Sequence, residues 1–391
     1  MKKKLLFIIP SLCSGGAERS LITLLTLLAQ TERFEIDLLL FRREGLFLPL
    51  VPPGVTVLDA GERYAAFDGA ASGAVRYALA HAEPGFALNR LRYAKALQKG
   101  DRKAVWNTLK KTLPKLTKEY DAAVGYLEGN ALYYAAACVN AKTKIGYIHS
   151  DYSKLGLSAD FDRPFVEKLD RFVAVSPECA NVLTKVFPEA AEKITVIENI
   201  TSPAVLKKQA AEAPEEYLAV SDPKLLTVGR ISPPKGYDLA VAAAEKLKRD
   251  GVAFRWFCIG TGELKAQIER EIAEKELGEH LILLGERTNP YPYVAFCDLY
   301  VQPSHYEGKS IALDEAKCFA KPIVATKFST VFDQLSDGKT ALLAEMTGES
   351  IAEKIEALLS NQTLAGTLTE NLQNEKVGNE EELEKFLSLI E

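Results

Sequence analysis

In the stretch EGKSIALDEA, residues 307–316, Glu307 and Glu315 stand eight positions apart. Two carboxylates in one motif admit acid–base work on a glycosidic bond, or two grips on one polar ligand. On one straight helix they would be about 12 Å apart, beyond the roughly 5 to 9.5 Å of a glycosidase pair. With a turn between them they can hold opposite ends of an extended ligand. The preceding YVQPSHY is an apolar run ending at Pro303 and Ser304, so the pattern predicts a strand that stops and a helix that starts about Ser310. The first N–H groups of such a helix lack internal partners and its dipole is positive there, which suits phosphate.

Three further strand ends carry polar groups. VGRISPPKGYDL, residues 228–239, places Arg230 and Lys235 on one loop, two cations suited to a diphosphate. IGTGEL, residues 259–264, offers Gly260 and Gly262 where a backbone must approach a ligand closely, followed by Glu263. LLGERTNPYPYV, residues 283–294, presents Gly285, Glu286 and Arg287, with an edge contact to a nucleobase in view. In an open parallel sheet these ends lie side by side at the carboxyl edge, the crevice where nucleotides bind. Together they are far more specific than any one alone.

The elements that must position these groups are legible as apolar runs alternating with helical patterns, the signature of parallel sheets covered by helices. KLLFIIP, FEIDLLLF, VTVLD, YDAAVGYLE, AKTKIGYIH, RFVAVS and KITVIEN read as strands in the first half. KLLTVGR, FRWFCIG, LILLGE, LYVQPS and KPIVAT do so in the second. AERSLITLLTLLAQ, ECANVLTKVF, DLAVAAAEKLKRD, ELKAQIEREIAEKE and IALDEAKCFA read as helices. The fold class is therefore α/β, with two Rossmann-like doubly wound domains. TSPAVLKKQAAEAPEEYLAVSDPK, polar and punctuated by proline, reads as a connecting segment. The expected domains are 1–200, 201–370, and a C-terminal helix over 371–391 that packs back on the first domain. That tail, NEEELEKFLSLIE, is amphipathic and needs an apolar surface.

Composition narrows the function classes. At 391 residues the chain suits two domains, and 47% hydrophobic with 26% charged residues is a globular balance. The net charge of −5 hides an asymmetry: residues 1–120 hold 19 Lys or Arg against 11 Asp or Glu, so that part carries +8 and the rest −13. From Arg90 to Lys118, Asp101 is the only acid among ten basic residues. An acidic whole disfavours nucleic acid, while a basic face suits an anionic membrane surface or a solvated helical face. Six scattered cysteines without a CxxC indicate reduced thiols and a cytoplasmic chain. MKKKLLFIIPSLCSGG imitates a signal peptide, but its apolar core is short and runs into Pro10, so it reads as a first strand. No apolar run approaches the roughly 20 residues of a membrane span, so membrane contact is expected to be peripheral, on the inner face of the plasma membrane.

Competing motifs weigh less. DFD, Asp160 to Asp162, matches a metal-binding DxD but follows KLGLSA rather than a strand, and Asp162 reads as a helix cap. GGAER is not the dinucleotide fingerprint. The four histidines have no ligand spacing, so no metal and no cofactor is expected. His149 stands out because it ends the strand IGYIH before a polar turn.

With GRISPPKG, IGTGEL, LLGE, EGKSIALDEA and KPIVAT, and more weakly PSLCSGGAERS and YIHSDYS, the sequence resembles the retaining glycosyltransferases of family 4. That family has the glycosyltransferase B fold of two Rossmann-like domains facing a cleft. The resemblance implies that Glu307 holds hydroxyls of a donor sugar and Glu315 the ribose of its nucleotide. Lys309, Ser310 and Ile311 would offer N–H groups to the diphosphate, with Arg230 and Lys235 neutralising its charge. His149 would sit by the donor sugar, and Gly15 with Gly16 would let the first loop pass near the reaction centre. Lys309 departs from the aromatic residue common after the Glu-Gly pair, which adds charge beside the diphosphate. Arg19 and Glu128 are acceptor candidates. The implied reaction is a metal-independent, retaining hexosyl transfer from a nucleotide diphosphate sugar, with UDP the family's commonest nucleotide. The acceptor would be a saccharide or lipid-linked saccharide of a surface glycan. The rivals are a nucleotide-sugar epimerase or hydrolase of similar fold, and a noncatalytic sensor.

Overall fold

The computed structural model describes residues 2–13, 15–307 and 309–390. The chain divides into two compact units, residues 1–200 with 380–391, and residues 201–379. Each is built on one parallel sheet.

In the first unit the strands are β1 (Lys3–Ile9), β2 (Phe34–Leu40), β3 (Val55–Asp59), β4 (Tyr120–Gly125), β5 (Ala141–Ile148), β6 (Arg171–Ala174) and β7 (Ile194–Val196), in the order β3-β2-β1-β4-β5-β6-β7. The order reverses between β1 and β4, the topological switch point of a doubly wound sheet. Central strands read as continuous apolar runs because both faces are covered. All five residues from Leu5 to Ile9 are buried, whereas the edge strand β3 has no fully buried residue. Helix Gly16–Gln30 follows β1 and buries Leu21, Leu24, Leu25 and Leu28, the spacing of one helical face. The C-terminal helix Glu382–Ile390 belongs to this unit, where Phe386 stacks on Phe7 of β1 at 5.8 Å.

The second unit contains β8 (Lys224–Val228), β9 (Arg255–Ile259), β10 (Leu281–Gly285), β11 (Leu299–Gln302), β12 (Ile323–Thr326) and β13 (Leu342–Ala344), ordered β10-β9-β8-β11-β12-β13. Strand alternation divides its interior into two layers. Leu225, Trp256, Val301 and Val324 pack with helices Tyr237–Arg249 and Gly348–Ser360. Leu226, Phe257, Tyr300 and Ile323 pack on the other face with helix Ile311–Cys318. The switch point here lies between β8 and β11.

Several elements differ from the sequence expectation. β13 is only three residues long and too short to show a period. The segment expected as a connector folds into the second unit: Leu206 packs beside Tyr291 and Cys318, and Tyr217 joins the layer of Leu226, Phe257 and Tyr300. The last crossing between units falls at 379/380 rather than 370/371, because helix Gln362–Asn374 buries Leu368 and Leu372 in the second unit. Asp162 is not a cap. Ser158 holds that position, and Asp162 lies inside helix Ala159–Val166 with its carboxylate buried. It accepts hydrogen bonds from Tyr133 at 2.5 Å and Tyr152 at 2.6 Å. Burial raises its carboxyl above the ordinary value, against the pull of the two hydroxyls.

Candidate active site

In the second unit, Glu307 and Lys235 meet across the switch point. Lys235 ends the 3₁₀ turn Pro233–Lys235 after β8, and Glu307 lies in the loop after β11. The ammonium donates to both carboxylate oxygens at 2.7 Å. Glu307 is only 7% exposed, and a buried carboxylate needs such partners. Its Oε1 also accepts from Gln302 Nε2 at 2.9 Å and Ser304 Oγ at 2.7 Å. Tyr300 in turn donates to Gln302 Oε1 at 3.1 Å. The loops themselves are clasped, since Pro234 O accepts the N–H groups of His305 and Tyr306. Gly236 makes this possible: its φ is +64°, and a Cβ there would stand 1.9 Å from Pro303 O. Arg230 is exposed on the same loop as Lys235, and among the described residues its guanidinium makes no hydrogen bond or ion pair.

Ser310 caps helix Ile311–Cys318, its hydroxyl accepting from Leu313 N–H. Its own N–H does not face an open site. Gln334 Oε1 accepts it at 2.9 Å, and Gln334 Nε2 donates to Ser310 O at 2.9 Å and to Asp314 at 2.8 Å. Among the described residues, the donors that this helix start leaves over are therefore those of Ile311 and Ala312. Glu307 O accepts from Thr330 Oγ1 at 3.0 Å, so the loop after β12 holds the turn at two points. Lys309 is exposed, and Gly308 lies outside the described residues. Glu315 is buried one turn into the helix and accepts from Tyr291 OH at 2.9 Å.

The other candidates of this unit are engaged differently from expectation. Gly260 and Gly262 serve an approach of backbone to backbone: added Cβ atoms would stand 2.0 Å from Gly229 O and 2.2 Å from Ile231 O. Glu263 is exposed just ahead of helix Lys265–Glu274. Arg287 is committed to protein groups, donating to Glu216 at 2.8 Å, Tyr293 OH at 3.0 Å and Leu284 O at 2.6 Å. The sequence reading missed Gln302, Ser304, Thr330 and Gln334. A glutamine in a buried strand was a visible signal for the first. Gln334 and Thr330 lie in a loop with no periodic pattern.

In the first unit the candidates gather beyond the carboxyl ends of β1, β4 and β5. Gly15 is the N-cap of helix Gly16–Gln30, so Gly16 is its first residue. The Arg19 guanidinium sits over the Phe47 ring at 5.3 Å. Ser20 Oγ and Tyr126 OH are 2.9 Å apart, tying this helix to the loop after β4. The Tyr126 ring lies 4.9 Å from that of His149, and the backbone N–H of His149 donates to Glu128 at 3.1 Å. Both imidazole nitrogens are buried and, among the described residues, neither reaches hydrogen-bonding geometry to a partner. Burial pushes this histidine down to about 4, opposed in part by Tyr126 and Asn199, so it is neutral at pH 7. Among the described residues no three His, Cys, Asp or Glu side chains gather as a metal site.

Residues 209–375, wholly within the second unit, match the family of glycosyl transferases group 1. The chain is similar to poly(ribitol-phosphate) alpha-N-acetylglucosaminyltransferase of Staphylococcus aureus, 30% identical over 42% of this chain and 34% of that protein. It is 31% identical, over 38% of this chain and 40% of that protein, to a Campylobacter jejuni enzyme. That enzyme is N-acetylgalactosamine-N,N'-diacetylbacillosaminyl-diphospho-undecaprenol 4-alpha-N-acetylgalactosaminyltransferase. The matches span about a third to two-fifths of the length of these relatives. Among solved structures, Anabaena HepE in complex with UDP-glucose has a TM-score of 0.63 at 19% identity, covering 98% of this chain and 99% of that one. The fold is thus that of the glycosyltransferases with two Rossmann-like units.

Proposed function

We propose that this chain is a retaining, metal-independent glycosyltransferase that moves a sugar from a UDP-sugar to a hydroxyl of a saccharide or lipid-linked saccharide in surface glycan synthesis, at the inner face of the plasma membrane. The observation that carries the reading is the Lys235–Glu307 pair at the switch point of the second unit, beside the unengaged Arg230 and a helix start. Arg230, Lys235 and the N–H groups of Ile311 and Ala312 bind the diphosphate and stabilise the charge that develops as it leaves, the role a divalent ion would otherwise take. Glu307 Oε1 already has three donors, which suits a carboxylate that orients sugar hydroxyls better than one that attacks carbon. Retention then follows a front-face path guided by the leaving phosphate. Glu315 takes the ribose. The activities of the two relatives and the UDP-glucose of the structural neighbour support the donor and acceptor classes.

Calorimetry with UDP, GDP and ADP in EDTA tests this. UDP is expected to bind in the absence of metal, with a loss of about a hundredfold in Arg230→Ala, near 3 kcal/mol for a charge-assisted contact. A folded protein that binds none of the three overturns the donor site. A product of inverted configuration by NMR overturns retention, and turnover of donor without acceptor points to the hydrolase or epimerase.

A further inference from the structure

The outer face of helix Pro84–Lys99 combines exposed leucines with unpaired cations. Phe86, Tyr93 and Ala96 face the core of the first unit. Leu88, Leu91, Arg92, Lys95 and Lys99 fall within about 100° of one another on the opposite side, at 3.6 residues per turn. Leu91 is 63% and Leu88 51% exposed. The neighbouring helix Ala71–Ala80 packs Ala74 and Ala78 into the same core and exposes Val75 and Leu79, the latter 78% accessible. Lys103, Lys110, Lys111 and Lys115 continue the exposed cations along the chain, and none of them, nor Lys95 or Lys99, forms an ion pair among the described residues. The nearby acids are already committed: Glu83 pairs with Arg63 at 2.7 Å, and Asp101 caps Ala104.

We propose that this face, centred on Leu88, Leu91 and Lys95, is a docking surface for an anionic lipid bilayer. Leucines at the crest of a helix with lysines and arginine beside them match an interfacial helix, whose apolar side chains enter the acyl boundary while cations meet head-group phosphates. A nucleic acid would use the cations but not the leucines, and a second copy of this chain would place like charges against each other. The inference deepens the reading above by naming where a membrane is met. It rests on that reading only for the lipid-linked acceptor, because vesicle binding needs neither donor nor acceptor.

Co-sedimentation of the full chain with phosphatidylcholine vesicles, with and without phosphatidylglycerol, tests the surface. Binding is expected only with phosphatidylglycerol and is expected to weaken with salt. Leu88→Gln/Leu91→Gln should lose about tenfold or more in partitioning while keeping every charge. Lys95→Gln/Lys99→Gln should lose about fivefold per lysine. Unchanged circular dichroism and melting keep the comparison to the surface. Overturning results are no binding to anionic vesicles, or leucine variants that bind vesicles and heparin as well as the parent, which marks a simple polyanion site. A dimer that the leucine variant dissolves would assign the face to a second copy instead. UDP binding that survives while vesicle binding fails removes this surface and leaves the donor site standing.

Discussion

Gln334 fixes the turn that begins helix Ile311–Cys318 by bonding both polar groups of the Ser310 backbone and the Asp314 carboxylate. Gln334→Ala strands the buried Ser310 N–H, while Ser310 O keeps the Asp314 N–H at 3.2 Å, and the lost partner costs about 1 to 3 kcal/mol. We expect a lower melting temperature and a UDP affinity about tenfold weaker, since the helix-start donors lose their support. Unchanged UDP affinity with reduced stability would confine the clamp to folding. His149 makes a separate prediction. Its folded value near 4 lies below the ordinary 6.5, so the unfolded chain binds more protons between those values. Stability present above pH 6.5 is then lost as pH falls toward 4, by up to about 3 kcal/mol. His149→Phe should flatten that part of a urea-stability profile, and an unaltered slope would place the dependence elsewhere. At this scale the sequence showed which residues bear charge but not which charges are already used. Arg230 and Arg287 look alike in the chain. Only the fold brings Glu216, 71 positions away, onto Arg287 and leaves Arg230 unengaged.

Two glycines separate the demands of a turn from the demands of packing between elements. Gly236 and Gly285 both have positive φ, +64° and +72°. A Cβ at Gly285 would meet nothing within 4 Å, whereas at Gly236 it would strike the Pro303 carbonyl. Gly285→Ala should therefore cost only the left-handed penalty, about 1 to 2 kcal/mol. Gly236→Ala adds a backbone collision between the loops after β8 and β11, and should cost roughly 3 kcal/mol or more together with donor binding. Equal losses in denaturant titrations of the two variants would show that these loops move apart freely. Strands such as β1 and β9 were readable because burial on both faces leaves unbroken apolar runs. The helices between residues 61 and 109 were not placed individually. Their outer faces carry leucines where an amphipathic pattern would put polar residues, and Ala71–Ala80 uses alanines as its core face. The segment after residue 200 looked like a linker because Val205 and Leu206 are adjacent and Tyr217 follows eleven positions later, too few to show a helical or a strand period, yet each is buried.

For the whole molecule, the chain begins and ends in the same unit, and the sequence hinted at this only through an amphipathic tail. Phe386 is fully buried against Phe7, the Lys3 ammonium donates to Ile390 O at 3.0 Å, and Glu382 accepts the Glu198 N–H at 3.0 Å. The last helix is thus part of the first unit's core, and truncating Phe386 to alanine should cost about 3 to 5 kcal/mol there. The two tryptophans report separately: Trp106 is buried in the first unit and Trp256 in the second. In a Trp256→Phe background, Phe386→Ala should move the Trp106 unfolding transition to lower denaturant. In a Trp106→Phe background, the Trp256 transition should hold its midpoint, because each unit has its own core and domains of this size unfold as units. An equal shift at both probes would show one cooperative body, with the returning helix setting the stability of the second unit as well. A shift at neither would mean that the tail lies loosely on the first unit, and the stacking on Phe7 would then contribute nothing to holding β1 in place.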